Sequence, residues 1–178
     1  MPLVETDWLG INLNKVKIID CSWHMPQTKR DGLTEYNTQH IKNSIFFDLD
    51  NNSKKDSELP HMLVEINEWE KIVSKMGIKR SDEIVIYDNS DVISSCRCWF
   101  NFIYYGHEPR LIHVLNVGLK KWIKEKREVT KTINKVEISD YKAHEKKELV
   151  KNKKLINQNL EEQKFKVIDA RSRERFEG

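Results

Sequence analysis

The chain contains three cysteines that could carry covalent chemistry: Cys21, Cys96 and Cys98. A cysteine attacks as its thiolate, which forms most readily beside positive charge or at a helix amino terminus. Cys21 follows a predicted strand, whereas Cys96 and Cys98 lie two residues apart in a predicted helix and therefore face different sides. Because neither setting suits a nucleophile, we expect all three thiols to be buried structural side chains.

The surroundings of the cysteines also disfavour metal binding and one kind of phosphatase chemistry. The pair formed by Cys96 and Cys98 would hold zinc only with further ligands nearby, and none is obvious. A Cys-x₅-Arg phosphatase needs arginine six positions after its cysteine, where this chain has Gln27, Phe102 and Tyr104. We therefore predict no metal site and no cofactor.

A second candidate for chemistry is the pair Asp48 and Asp50, separated by one leucine. This Asp-x-Asp pattern resembles haloacid-dehalogenase-type phosphatases, whose first carboxylate is a nucleophile, whose second is an acid or base, and which bind Mg²⁺. Their motif follows the first strand and continues into a Gly-Thr turn. Here a full strand precedes the pair, polar residues 51–53 follow it, and no later acidic pair suits Mg²⁺, so this interpretation is disfavoured.

The elements that must position these side chains alternate between strands and helices. Compact apolar runs predict strands at residues 16–20, 44–48, 83–88 and 111–115. Apolar residues at helical spacing, with glycines as terminators, predict helices at residues 6–13, 66–76, 94–105 and 118–126. Residues 21–35 are typical of a loop. The alternation indicates an α/β fold in which helices cover both faces of a parallel sheet.

Composition narrows the class of protein further. Of 178 residues, 38% are hydrophobic and 33% are charged, and 31 basic residues nearly balance 28 acidic ones. This balance favours neither nucleic acid nor membrane binding. No apolar run approaches the ~20 residues that span a bilayer, and the first residues do not resemble a signal peptide. We expect a cytoplasmic protein without a disulfide framework.

A short internal repeat suggests two domains. Residues 15–20 (KVKIID) resemble residues 164–169 (KFKVID), and a helix-like segment precedes each copy. The pattern predicts a domain at 1–126, a linker at 127–150 and the beginning of a second domain at 151–178. Residues 150–178 would then dock on the first domain, exchange with a neighbouring copy in a homo-oligomer, or be mobile.

Several stretches, taken in order, resemble the two-domain rhodanese-type sulfurtransferases, and most of all their 3-mercaptopyruvate branch. The resemblance covers nearly the whole chain except the predicted linker. The matching stretches are Asp20-Cys-Ser-Trp23, Arg30-Asp31, Tyr36, His40-Ile41, Ser44-Ile-Phe-Phe-Asp-Leu-Asp50, Pro60-His-Met-Leu63, Ile84-Val-Ile-Tyr-Asp88, Arg97 with Trp99, Gly106-His107, Val114-Leu-Asn-Val-Gly118, Val167-Ile-Asp-Ala-Arg171 and Arg175-Phe-Glu-Gly178.

This resemblance implies a fold of two rhodanese domains, of which only the second carries the catalytic cysteine. In the first domain, Asp88 falls where that cysteine would be, and a carboxylate cannot carry a persulfide. The implied reaction moves a sulfane sulfur from 3-mercaptopyruvate or thiosulfate to cyanide, a thiol or a thioredoxin-like acceptor. The chain alone would then be inactive.

The resemblance also implies three site residues. Asp50 and His61 match an Asp-His-Ser relay whose serine lies in the second domain; the carboxylate orients the imidazole, which moves a proton through the hydroxyl. Arg175 matches an arginine that binds the substrate carboxylate. Arg97 is expected to form a structural ion pair or to line the domain interface. Ile93 stands where mercaptopyruvate enzymes often carry tyrosine, which leaves the choice of donor open.

One alternative from a different class stays open. Without a nucleophile, the chain could be a rhodanese-like module that binds or regulates and does not catalyse. Residue types alone also allow Asp50 to cap a turn and His61 to be a surface loop residue.

Overall fold

A computed structural model describes all 178 residues, which form two compact units, residues 1–146 and 147–178. The strands all belong to the first unit: β1 (Leu3–Val4), β2 (Lys17–Asp20), β3 (His40–Ile41), β4 (Ser44–Phe46), β5 (Ile84–Tyr87), β6 (Ile112–Leu115) and β7 (Val129–Thr130). The first unit also has five α-helices: α1 (Thr6–Asn12), α2 (Gly32–Thr38), α3 (Ile66–Lys75), α4 (Ser95–Tyr104) and α5 (Gly118–Lys124).

Five strands form one parallel sheet in the order β1-β6-β5-β2-β4. Every residue of β5 and β6 is buried, as expected for strands covered on both faces. Successive strand residues point to opposite faces: Ile84 and Ile86 pack with one cluster, and Val85 and Tyr87 with another. The predicted α/β class, with helices on both faces of a parallel sheet, is therefore confirmed.

The two core clusters show which helices cover each face. On one face, Trp69 of α3 and Phe102 of α4 pack in the same cluster as Ile84. On the other, Leu9 of α1 and Trp122 of α5 pack with Val85. These helices lie within two residues of their predicted ends, because the apolar spacing and the terminating glycines set them.

The prediction of a loop over residues 21–35 is wrong at its end, where α2 begins. The Asp31 side chain accepts a hydrogen bond from the Thr34 amide, which caps the first turn. Only Gly32 and Tyr36 of this helix are buried, so its apolar stripe is too short to show as a helical pattern. The helix carries Glu35, whose carboxylate accepts from the Arg30 guanidinium at 2.7 Å.

Most of the segment predicted as a linker, residues 127–146, belongs to the first unit. Its strand β7 pairs antiparallel with β3, and Tyr141 is fully buried. The Tyr141 hydroxyl lies 3.1 Å from Nδ1 of His107, and their rings are stacked. The first compact unit accordingly extends to Lys146.

The second unit contains α6 (Lys153–Glu162) and α7 (Arg173–Glu177) and no strand. The strand expected at 164–169 is not formed: no neighbouring strand pairs with these residues. The backbone N–H and C=O of Phe165 bond instead to the Asn159 side chain, at 3.0 Å and 2.7 Å. Val167 and Ile168 are 59% and 86% exposed. No helix of either unit is long and apolar enough to cross a membrane.

Candidate functional site

The candidate site lies at the carboxyl edge of the sheet in the first unit. The loops that follow β2, β4 and β5 meet there, because parallel strands end on the same side. They bring together residues 20–24, 47–51 and 88–94. The loop before α3 adds Pro60, His61 and Met62, which line a cavity of about 310 Å³ with Trp23 and Arg97.

Asp50 and His61 lie in direct contact at this edge. His61 Nε2 is 2.8 Å from Asp50 Oδ1, and the other ring nitrogen, Nδ1, has no hydrogen-bond partner. The Trp23 indole N–H donates to both carboxylate oxygens of Asp50, at 3.0 Å each. The Trp23 and His61 rings meet edge to face, with centroids 4.9 Å apart. The carboxylate therefore has two donors, and it orients the imidazole.

Trp23 itself is held by the loop after β5. The Ser94 hydroxyl accepts from the Trp23 amide at 3.1 Å and donates to the Cys21 carbonyl at 2.6 Å. The Ser90 hydroxyl donates to the Trp23 carbonyl at 2.5 Å. The backbone of Trp23 is thus tied at both its N–H and its C=O. The indole can hold Asp50 because its own backbone is fixed.

Trp23 is a site residue that the sequence analysis missed. It is 27 positions from Asp50, and nothing in that spacing predicts contact. The only signal was the position of Trp23 three residues after the end of β2, since side chains that follow a parallel strand gather at one edge.

Asp88 is the first residue after β5, and its carboxylate accepts hydrogen bonds within the loop that follows. Oδ1 accepts from the Ser90 amide at 3.0 Å, and Oδ2 accepts from the Ser95 amide at 2.8 Å. Ser95 is the first residue of α4, so Asp88 caps the amino terminus of that helix. The side chain is buried. The backbone N–H groups that could hold an anion here are already occupied by a carboxylate of the chain.

Next to this loop, Asp20 is buried and paired with Ser22. Its Oδ1 accepts from the Ser22 amide at 2.9 Å and from the Ser22 hydroxyl at 2.5 Å. Burial raises the pKa of the Asp20 carboxyl to about 6, although both hydrogen bonds act in the opposite direction. Asp20 lies at the same edge of the sheet but forms no hydrogen bond with Asp50 or His61.

The cysteines do not share one environment. Cys21 and Cys98 are buried, and burial raises the pKa of the Cys21 thiol well above its usual value. The expectation of a buried Cys96 is wrong: its side chain is exposed, because α4 turns Cys98 and Phe102 inward and Cys96 outward. Partial desolvation and the nearby Asp88 carboxylate still raise the pKa of Cys96. Neither the Cys21 nor the Cys96 thiol is in a setting that favours the thiolate.

Arg97 does not form the ion pair that was one of its two expected roles. No carboxylate lies within 4.0 Å of its guanidinium; its Nη2 donates instead to the His61 carbonyl, and the group lies over the Phe100 ring. Burial lowers the pKa of Arg97 from its usual value. Arg97 thus contacts the backbone of a candidate site residue.

Arg175 lies in the second unit, on α7, and is exposed. Four residues before it, Arg171 forms an ion pair with Asp169, at 2.8 Å and 3.0 Å from Nε to the two carboxylate oxygens.

Asp48, the other acid of the Asp-x-Asp pair, accepts from both the backbone and the side chain of Asn51. Its carboxylate is therefore engaged in a turn and does not point at Asp50.

Taken together, the parallel sheet, the edge loops and the occupied loop after β5 define an α/β domain whose functional groups lie at the carboxyl ends of the strands. The family model for the rhodanese-like domain matches residues 5–125. The chain belongs to the rhodanese-like domain family, and the resemblance seen in its sequence is confirmed.

Curated relatives of this chain are named as sulfurtransferases. "Thiosulfate/3-mercaptopyruvate sulfurtransferase 1, mitochondrial" from Arabidopsis thaliana is 32% identical, with 99% of this chain and 52% of the relative covered. The human 3-mercaptopyruvate sulfurtransferase is 28% identical, with 99% and 61% covered. The chain thus spans about half to three fifths of the length of these relatives.

Solved structures give the same result for the fold. The crystal structure of SseA from Escherichia coli, described as having the rhodanese fold of 3-mercaptopyruvate sulfotransferases, superposes with a TM-score of 0.91 at 26% identity. The match covers 99% of this chain and 68% of SseA. Tum1 from Saccharomyces cerevisiae gives a TM-score of 0.85 at 26% identity, covering 100% and 63% of the two chains.

Proposed function

We propose that this chain is the first domain, with the beginning of the second, of a two-domain sulfurtransferase whose nucleophilic cysteine lies in the second domain. The domain limits we propose are 1–126 for the first domain, 127–150 for a connecting segment and 151–178 for the start of the second. The relatives that match along 99% of the chain are longer and are named as sulfurtransferases, which supports this proposal.

The observation that carries the proposal is the contact between Asp50 and His61. An aspartate that holds one imidazole nitrogen leaves the other free to accept or donate a proton, as in a triad. Here Asp50 holds Nε2 at 2.8 Å, and Nδ1 is free. The third member, a hydroxyl, would come from the second domain.

The proposed reaction has two displacements. The thiolate of the second domain attacks the sulfur of 3-mercaptopyruvate, an S–S bond forms and the C–S bond breaks. The enolate that leaves takes up a proton and becomes pyruvate. A thiol, a thioredoxin-like protein or cyanide then attacks the outer sulfur and restores the thiolate. Asp50 and His61 would move the proton that activates the donor or protonates the leaving group. With thiosulfate as donor, sulfite leaves instead.

Arg175 is proposed to bind the carboxylate of the donor, because a guanidinium can hold a carboxylate through two parallel hydrogen bonds. We propose no metal, cofactor or nucleic acid in this reaction. Self-association through residues 150–178, including an exchange between copies, is a further proposal. We keep the cytoplasm as the proposed location, although one relative is described as mitochondrial.

The alternative, a module that binds and does not catalyse, is favoured by one observation. Asp88 directly follows β5 and accepts from the Ser90 and Ser95 amides of its loop, so this position holds a carboxylate where a nucleophile would need free backbone N–H groups. The same observation fits a first domain that depends on a second. The two proposals differ in whether a second domain confers activity.

Sulfur transfer should be measured from 3-mercaptopyruvate and, separately, from thiosulfate. The chain should be tested alone and with a second rhodanese domain that carries a catalytic cysteine. Activity only in the combined sample, reduced about 10²-fold or more by His61→Ala, is the expected result. The control is His144→Ala, an exposed histidine of the first unit. No activity in the combined sample would favour the binding module.

A further inference from the structure

Arg97 contacts a member of the proposed relay without belonging to it. It lies on α4, 36 positions from His61, and its Nη2 donates to the His61 main-chain carbonyl. The side chain is half-buried and belongs to the cavity that Trp23 and His61 also line. The contact joins α4, which follows the loop after β5, to the backbone of the candidate relay histidine.

The backbone of His61 needs such a contact. Its φ is +55°, in the left-handed region that residues with a side chain rarely adopt. Strained conformations of this kind persist only where the surroundings hold them, and they concentrate at functional sites. The ring is held by Asp50 and Trp23. At the main-chain carbonyl, the donor is Arg97.

The charge of Arg97 has no other partner that would explain its place. No carboxylate is within ion-pair distance, and its Nε is buried without a hydrogen-bond partner. Its other contact is with the face of Phe100, 5.8 Å from the ring centroid. Burying half of a guanidinium without a counterion costs free energy. The hydrogen bond to the His61 carbonyl is the interaction that offsets this cost.

We propose that Arg97 is a positioning residue for His61. By holding the carbonyl, it fixes the left-handed turn, keeps Nε2 on Asp50 and leaves Nδ1 as the nitrogen that exchanges protons. The functional meaning of this proposal rests on the proposed function. The geometric claim concerns the first unit alone and does not depend on sulfur transfer.

The test is nuclear magnetic resonance of the ¹⁵N-labelled 178-residue chain at mildly alkaline pH, where a histidine is uncharged. Two reporters are read: the tautomer of His61, from long-range ¹H–¹⁵N correlations, and the indole N–H of Trp23. In the unmodified chain His61 should carry its proton on Nε2 alone. In Arg97→Met we expect two averaging tautomers and a shifted Trp23 indole signal.

The matched control is Arg80→Met. Arg80 also has no carboxylate partner and also donates to main-chain carbonyls, those of Lys142 and Gly106, at 3.0 Å and 2.6 Å. It should leave both reporters unchanged. Arg97→Lys, which keeps a cation and a donor, should restore a single tautomer. The proposal is overturned if Arg97→Met leaves both reporters in place, or if Arg80→Met moves them equally.

A measurement on the unmodified chain covers the case in which Arg97→Met does not fold. The guanidinium protons of Arg97 should exchange slowly with water and show a nuclear Overhauser effect to His61. Rapid exchange without that effect would contradict the proposal. Because no sulfur is transferred in these experiments, a failure of the proposed reaction would be recognised separately.

Discussion

The carboxyl edge of the first unit and the second unit both contain residues that the sequence pointed to, but only the first surrounds them. Asp50 has two donors, and His61 is held through both its ring and its carbonyl. Arg175 in the second unit is exposed on a five-residue helix. A side chain has a defined orientation only where several neighbours contact it. In the first unit, the loops at the carboxyl edge of the sheet supply those neighbours.

The largest expected difference between the two units is in stability. Trp69 is fully buried and stacks on Tyr105, with ring centroids 4.5 Å apart. Trp69→Ala should lower the free energy of unfolding by about 3–5 kcal/mol, through lost burial and the cavity left behind. Phe176→Ala, in the second unit, should change it by less than about 0.5 kcal/mol, because Phe176 is 62% exposed.

Urea unfolding followed by tryptophan fluorescence measures both variants. The comparison between the units would break if Phe176→Ala proved as costly as Trp69→Ala, since that would mean the second unit is part of the same cooperative core.

A pH effect should come next in size, and it also belongs to the first unit. The pKa of Asp20 is raised to about 6, above the value near 3.8 of the unfolded chain, so the folded state binds the proton more tightly. The contribution of Asp20 to the free energy of unfolding is therefore most favourable below pH ~4 and falls as the pH rises to ~6. The change is at most about 3 kcal/mol, since one pKa unit corresponds to ~1.4 kcal/mol.

Asp20→Asn should remove this dependence and raise stability at neutral pH, because an amide can still accept from Ser22. Unfolding measured between pH 4 and pH 7 in both proteins checks it. Parallel curves would show that Asp20 is not the group responsible.

A smaller effect on stability is expected in the loop after β5, where the Asp88 carboxylate accepts from backbone amides. Asp88→Ala leaves the amides of Ser90 and Ser95 without their acceptor, which should cost about 1–2 kcal/mol. Asp88→Asn keeps one acceptor and should cost less. Thermal unfolding of the two variants ranks them, and an Asp88→Ala variant as stable as the parent chain would mean that water replaces the carboxylate without loss.

The sequence predicted the frame of the first unit because burial on two faces leaves continuous apolar runs, as in Ile84–Tyr87. It did not predict α2, whose buried stripe is only Gly32 and Tyr36, or the absence of a strand at 164–169, which depends on partners outside the segment. Strand identity from sequence presupposes a sheet that can receive the strand.

The site shows the same division. Residue types alone gave no reason to pair Asp50 with His61; their pairing came from the family resemblance, and the structure places them 2.8 Å apart. Trp23 and Arg97 act across 27 and 36 positions, and such contacts follow from loops meeting at a sheet edge, not from spacing. The exposure of Cys96 was not predicted, because the helical period shows which residues share a face but not which face packs against the core.

The most direct test of the proposed function asks which cysteine receives sulfur. The chain should be incubated with 3-mercaptopyruvate, alone and together with a second rhodanese domain that carries a catalytic cysteine, and every cysteine should then be mapped by mass spectrometry. We expect an added sulfur atom only on the cysteine of the second domain, with Cys21, Cys96 and Cys98 unmodified. Stoichiometric persulfide on any of these three in the chain alone would contradict it.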